Sequence, residues 1–270
     1  MDVDALVVRD GDRVRASGRL VRNGQGDWFE PDLAVTLPDR LERGVRPVWQ
    51  AGAIRITGAD FDAVSNRFER GGAVEGWALV TGTWSAGQLH VEQQAAPPPH
   101  GAWRPRWVAP PCPPPPQGWP IVLRRADVEL GYDLGDLELS GAAVAVTIFR
   151  PGPNRVVLVV AAGDVAAVEA RLRPQLGESL CVVPSRWTKA QLDTVGDYLH
   201  YQWETWGLYG LGLHNTDDGQ PHMGARLVRV LPEIAAWAAT LPNDILLLEP
   251  WLVPLRAHAS GAASERGLKR

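Results

Sequence analysis

Residues 96–120, APPPHGAWRPRWVAPPCPPPPQGWP, carry eleven prolines in twenty-five positions, and that density decides how the rest of the chain can be divided. Proline locks φ at about −65° and has no N–H, so neither a helix nor an inner strand can run through such a segment. What remains is polyproline II, stiff and extended at about 3.1 Å per residue. A chain of 270 residues also exceeds the usual single domain. The stretch therefore reads as a strap between a domain at 1–95 and a domain at 121–255, with 256–270 as a disordered tail. A bare spacer has no use for Trp103, Trp107 and Trp119, so these indoles are expected to dock on the protein's own surface. The sharper alternative is contact with a partner: Pro110 and Pro113 form a PxxP, although Arg106 stands one place too far upstream for the usual basic flank.

The first domain reads by period-two alternation. RVRASGRLVR (13–22), WFEPDLAVTL (28–37) and VRPVWQAGAIRIT (45–57) are strands, with turn chemistry in RNGQGD between the first two. Phe61, Val64 and Phe68 at i, i+3, i+7, with Asp60 as N-cap and Gly71 as stop, predict one short helix. GWALVTGTW (76–84) and LHVEQ (89–93) close with a hairpin. This βββαββ order resembles the OB-fold, a small Greek-key barrel, and Gly18 and Gly82 stand where a coiled strand needs a bulge or bend. The resemblance implies ligand binding on the face of strands two and three, here Trp28, Phe29, Trp49, Arg46 and Arg55. Glu30, Asp32, Asp39 and Glu42 lie in the same region and oppose phosphate binding.

The second domain reads as a duplication. LVVAAGDVAAVEARL (158–172) lies over LVRVLPEIAAWAATL (227–241) without a gap, and Val165, Val168, Leu172 coincide with Ile234, Trp237, Leu241 as buried stripes. SLCVVPSRW (179–187) answers to DILLLEPWL (244–252), and AVAVTIF (143–149) to WGLYGLGL (206–213). Between the copies, Thr188 and Gln191 form a capping box ahead of a helical stripe of Leu192, Val195, Leu199, Trp203 and Trp206. A duplicated ββαβ unit with an intervening helix predicts an α+β domain of ferredoxin-like character, a sandwich that serves many roles. The stretches VTGTW (80–84), PPCPPPPQGWP (110–120), LCVVPSRWT (180–188) and LEPWLVP (248–254) resemble a family of proteins from GC-rich bacteria with no activity attached. That resemblance implies a shared architecture and nothing catalytic.

Charge argues against phosphate ligands. Residues 1–95 hold 14 acids and 11 bases, and residues 121–255 hold 16 acids and 10 bases, so neither domain has a basic excess. The acidic run DVELGYDLGDLELSG (127–141) lacks the oxygen spacing of a calcium loop and reads as a solvated face. HNTDDGQPH (214–222) offers His214, Asp217, Asp218 and His222 as metal ligands, against a plainer reading as a hairpin turn around Asp218-Gly219. GxSxG, P-loop, HExxH and dinucleotide motifs are absent from the sequence. Two cysteines, Cys112 and Cys181, make no disulfide framework and are expected as reduced thiols in a cytoplasmic protein. The start is acidic where a secretory leader is basic, and the apolar runs are too short to span a bilayer. The expectation is a non-catalytic binding, assembly or regulatory protein without cofactor, acting on a protein partner and not on membranes. Single-stranded nucleic-acid binding through the barrel is the alternative, and an enzyme with a motif-free site the third reading.

Overall fold

The computed structural model describes residues 2–31, 52–97, 108–121 and 142–256. The chain divides into two compact units. One comprises Asp2–Pro97, Arg229–Pro232 and Pro250–Arg270, the other Pro98–Val228 and Glu233–Glu249. The boundary expected at 255 therefore falls earlier, and the C-terminal segment groups with the N-terminal strands.

In the first unit β1 (Arg13–Asn23), β2 (Gly26–Pro31), β3 (Ile54–Thr57), β4 (Ser65–Arg70), β5 (Ala73–Ser85) and β6 (Gln88–Ala95) pair in the circuit β1-β2-β3-β6-β5, which closes through β1 on β5. All contacts in the ring are antiparallel except β3 with β6. Alternation puts Val14, Ala16, Leu20, Phe29, Ile54, Ile56, Ala78, Val80, Trp84 and Leu89 inside, all buried. Gly82 sits at a register shift between β5 and β6, and a Cβ there would collide with the carbonyl of His90. A tight ring of this size needs that close backbone approach.

The helix expected after β3 is not formed. Asp60 accepts instead from the N–H of Asp62 in a local turn, and Phe61 is buried under the guanidinium of Arg22, 4.1 Å from the ring centroid. Ser65–Arg70 becomes β4 on the edge of β5. Gly71 and Gly72 both take positive φ, 58° and 79°, as a two-residue hairpin turn between Arg70 and Ala73 requires. Three apolar residues at helical spacing lost to a glycine pair that joins two strands more firmly than it stops a helix.

The ring is completed from far along the chain. After β12 (Leu246–Pro250), Trp251 lies against Phe29 with ring centroids 4.6 Å apart and donates its indole N–H to the Ser17 carbonyl at 2.7 Å. Gly18 makes room: a Cβ there would sit 3.0 Å from the Trp251 ring and nearer still to the Glu30 carbonyl. β13 (Val253–Pro254) pairs with Val14 and Arg15 of β1. Val230 bridges Val7, and Arg256, expected in a disordered tail, donates to the carbonyls of Asp4 and Val7. Residues 257–270 lie outside the described residues.

In the second unit β7 (Ala143–Gly152), β8 (Arg155–Ala162), α1 (Val165–Leu176) and β9 (Leu180–Pro184) form one strand–strand–helix–strand group. β10 (Leu208–Asn215), β11 (Pro221–Leu227), α3 (Pro232–Ala238) and β12 form another. α2 (Lys189–Tyr201) lies between them in sequence. Asp164 caps α1 by accepting from Ala167 N–H, and the Thr188/Gln191 capping box of α2 is present in both directions. Leu192, Val195 and Leu199 are buried, whereas Trp203 and Trp206 fall in the turns past the end of α2. The gapless match of 158–172 with 227–241 does not hold in space. Val159–Ala162 continue β8, but Arg229–Pro232 leave β11 to join the first unit.

Replacement of Trp251 by alanine removes the ring against Phe29 and the bond to Ser17, and is expected to cost about 3–5 kcal/mol. Urea denaturation followed by the unfolding of the N-terminal strands measures it; a loss below about 1 kcal/mol would show that the closure is dispensable.

Candidate functional site

Three places named by the sequence reading can be set against the structure. On the barrel, Trp28 of β2 and Arg55 of β3 are register partners, and both point away from the interior occupied by Phe29, Ile54 and Ile56. The Arg55 guanidinium lies 3.8 Å from the Trp28 ring centroid and donates to the Gln25 carbonyl in the β1–β2 turn. Gly26, at φ 123°, leaves the space: a Cβ there would run into the guanidinium. Farther along the same face Thr57 and His90, partners across β3 and β6, share a 2.8 Å hydrogen bond. The described surface therefore joins an aromatic plane, a cation, a hydroxyl and an imidazole. Trp49 and Arg46 lie outside the described residues. Thr57 and His90 escaped the sequence reading, although their outward parity beside Ile56 and Leu89 would have placed them.

Among the described residues, several cations of this barrel are paired with carboxylates. Arg19 lies between Glu30 at 2.5 Å and Glu75 at 3.0 Å. Burial pushes the Glu30 carboxyl above its ordinary range, and the Arg19 hydrogen bond opposes that rise. Arg22 grips Asp27 through two nitrogens, each 2.8 Å from a carboxylate oxygen, and Arg13 meets Glu92 at 2.9 Å. Cations held this way present little free positive field to a phosphate chain.

The strap is docked where it is described. β8 is apolar on both faces: Leu158, Val160 and Ala162 pack with Val168 and Leu172 of α1, while Val157, Val159 and Ala161 face the other way. That second face is covered by Val108, Cys112 and Trp119, with Phe149, Cys181 and Val183 completing the cluster. Trp119 is 8 % exposed, as docking requires; Trp103 and Trp107 lie outside the described residues. Val108 N–H donates to the Arg150 carbonyl at 3.0 Å, Ile121 bridges Arg155, and the Arg155 guanidinium donates to the Trp119 carbonyl.

This docking corrects the cysteine expectation. Cys112 and Cys181 form a disulfide with Cα atoms 5.8 Å apart, closing a sequence separation of 69 residues. Cys181 sits on the strap-facing side of β9, so folding the strap onto the sheet brings the second sulfur to it. Loop closure of this length is worth about 4 kcal/mol on the chain-entropy model. With both thiols paired, the premise of reduced cysteines that supported cytoplasmic residence is withdrawn. No helix among the described residues is long and apolar enough to cross a membrane.

The four candidate metal ligands are only half assembled. His214 and His222 are register partners across β10 and β11 with ring centroids 5.9 Å apart, and Gly224 lacks the Cβ that would strike the His214 ring. Asp217 and Asp218 lie in the turn beyond, where Asp218 accepts from Thr216 and pairs with Arg186 at 3.1 Å. Gln220 ties the same turn to the end of β9, donating to the Pro184 carbonyl and accepting from Arg186 N–H, each at 2.9 Å. Among the described residues no three His, Cys, Asp or Glu side chains converge as a metal site. The turn around Gly219, at φ 77°, is a structural joint. The acidic run 127–141 lies outside the described residues.

His222 is buried, its Nε2 has no hydrogen-bond partner, and burial followed by the neighbouring His214 lowers its pKa below 6.5, against weaker opposing effects of Glu249 and Asp244. The neutral ring is the folded form. As pH falls below 6.5 the unfolded chain takes up this proton first, so stability declines until the folded-state pKa is reached. Melting curves between about pH 7.5 and 5 should show a loss in the wild type that His222→Gln reduces; identical slopes would remove His222 as the cause.

No family model, curated protein or solved structure matches the chain.

Proposed function

We propose that the chain is a non-catalytic binding or assembly protein, and that its first unit is an OB-like barrel presenting the outer face of β2, β3 and β6 to a protein partner. The ring order β1-β2-β3-β6-β5 supports the barrel reading, with β4 taking the place of the usual helix. The two strand–strand–helix–strand groups of the second unit support a duplicated, ferredoxin-like origin for the rest.

The observation that carries the partner is the Trp28–Arg55 pair. Tryptophan and arginine are the side chains most enriched at energetic centres of protein interfaces. Here the guanidinium is already stacked and hydrogen-bonded to Gln25, so little side-chain freedom is left to lose on association. Thr57 and His90 supply the polar surround. The pairing of Arg13, Arg19 and Arg22 with carboxylates disfavours a nucleic-acid ligand. The single-strand alternative keeps one favourable observation, since the same pair offers a stacking plane and a cation on the face where OB barrels take oligonucleotides.

A photoreactive residue at position 57 of the full chain, with Trp28→Ala and Arg55→Ala as comparisons, tests the reading. A discrete protein adduct is expected, and Trp28→Ala should weaken the association by about thirtyfold, as loss of an interface anchor does. In parallel, a labelled oligothymidine is titrated at two salt concentrations. Tight binding that collapses with salt and is lost in Trp28→Ala would transfer the function to nucleic acid, and neither adduct nor oligonucleotide binding would overturn the assignment of this face.

A further inference from the structure

The strap is fastened unevenly. Its ends are held by backbone and indole: Val108 N–H to Arg150 on one side, Trp119, the Arg155 guanidinium and the Ile121 bridge on the other. Its middle, 110–116, is proline at every position but Cys112, so it has almost no N–H with which to pair to a strand. Among the described residues, the Cys112–Cys181 bond is the covalent attachment of that middle to the sheet. The surface beneath is wholly apolar: Cys181 is 1 % exposed, Val159 1 % and Val183 9 %. Cys112 itself is only half-buried.

We propose that Cys112–Cys181 is a redox clasp: reduction by a dithiol frees the middle of the strap and uncovers the apolar strip of Val159, Cys181 and Val183, while the strap ends and the rest of the fold stay in place. Attack comes at the more accessible sulfur. A thiolate of the reductant bonds to Cys112 Sγ, the S–S bond breaks, and its electron pair leaves on Cys181 Sγ, which takes a proton. The reductant's second thiol then displaces Cys112 Sγ and closes a cyclic disulfide. Two electrons and two protons have passed to the protein, which now holds two thiols. With a monothiol such as glutathione the same first attack leaves a mixed disulfide on Cys112, since Cys181 is shielded by the strap at the moment of attack. A second glutathione thiolate then bonds to the glutathione sulfur, and Cys112 Sγ leaves with the electron pair and takes a proton.

Freed of the bond, the proline run is left with few hydrogen bonds to the sheet, since its prolines have no N–H to donate. The turn at Gly219 lies against both the strap and the sheet, a Cβ at Gly219 lying 3.0 Å from Val159 and 3.1 Å from Pro111.

The test uses the full chain under native conditions, with alkylation by N-ethylmaleimide followed by peptide mass spectrometry. Before reduction neither cysteine should react. After dithiothreitol, Cys181 should be labelled within about tenfold of the rate of Cys112, while far-UV circular dichroism and a cooperative melt persist. Cys112→Ser, which lacks the bond without any reductant, should expose Cys181 to the same degree, and in the wild type treated with glutathione the first adduct should be found on Cys112. Three outcomes would overturn the clasp. The thiols could be free after purification under oxidising conditions. Cys181 could stay protected by about a thousandfold after reduction, the bond then being only a staple on a strap that stays docked. Reduction could instead unfold the whole chain.

Discussion

The three-stranded sheet of β7, β8 and β9 has no polar face, and the second unit is arranged around that constraint. Val157, Val159 and Ala161 look one way along β8, Leu158, Val160 and Ala162 the other, and all six are buried. A sheet with two apolar faces must be covered twice. α1 supplies one cover with Val168 and Leu172. A second helix would be the usual solution for the other face. This chain uses a proline-rich extended segment, whose lack of N–H groups matters little because a cover laid across a sheet face has no ladder to complete. The indole of Trp119 supplies apolar area that proline rings alone would not. The disulfide then pins the part of the cover that hydrogen bonds cannot hold.

The barrel solves a different problem. A small ring must let backbones pass close together and still fill its interior, and it does so with glycines and tryptophans as complementary pieces. Gly18 is empty where Trp251 and Phe29 press in, and Gly82 is empty where the His90 carbonyl approaches. The side chain that fills the gap at Gly18 arrives from more than two hundred residues downstream. The ring and the C-terminal segment thus belong to one compact unit, and the outer Trp28–Arg55 surface is carried on strands of that unit.

Local signals are decisive where one short-range rule acts alone. The Thr188–Gln191 capping box, the Asp218-Gly219 turn and the β1–β2 hairpin depend on residues within a few positions of one another, and each stands where its chemistry puts it. The candidate face is half legible: parity alone turns Trp28, Arg55, Thr57 and His90 outward, while the parallel, non-local pairing of β3 with β6 that sets Thr57 beside His90 is in no window of sequence. After β3 the local signals conflict, because three apolar residues at helical spacing compete with a Gly-Gly hairpin. The outcome depends on whether β5 offers an edge to pair with, which no window of sequence contains.

The sequence by itself determined the extended character of the proline run, the strand alternation of β1 and β5 and the strand–strand–helix–strand order of the second unit. These follow from covalent restriction and from periodicity, which act through neighbours along the chain. Only the tertiary structure decided that Trp251 and residues 253–254 complete the N-terminal unit, that Cys112 meets Cys181, and that four possible metal ligands reduce to one histidine pair. Each of those depends on which surfaces are left uncovered once the local elements have formed. Burial of apolar area is non-directional, so it selects partners by shape and by what remains exposed, without regard to distance along the chain.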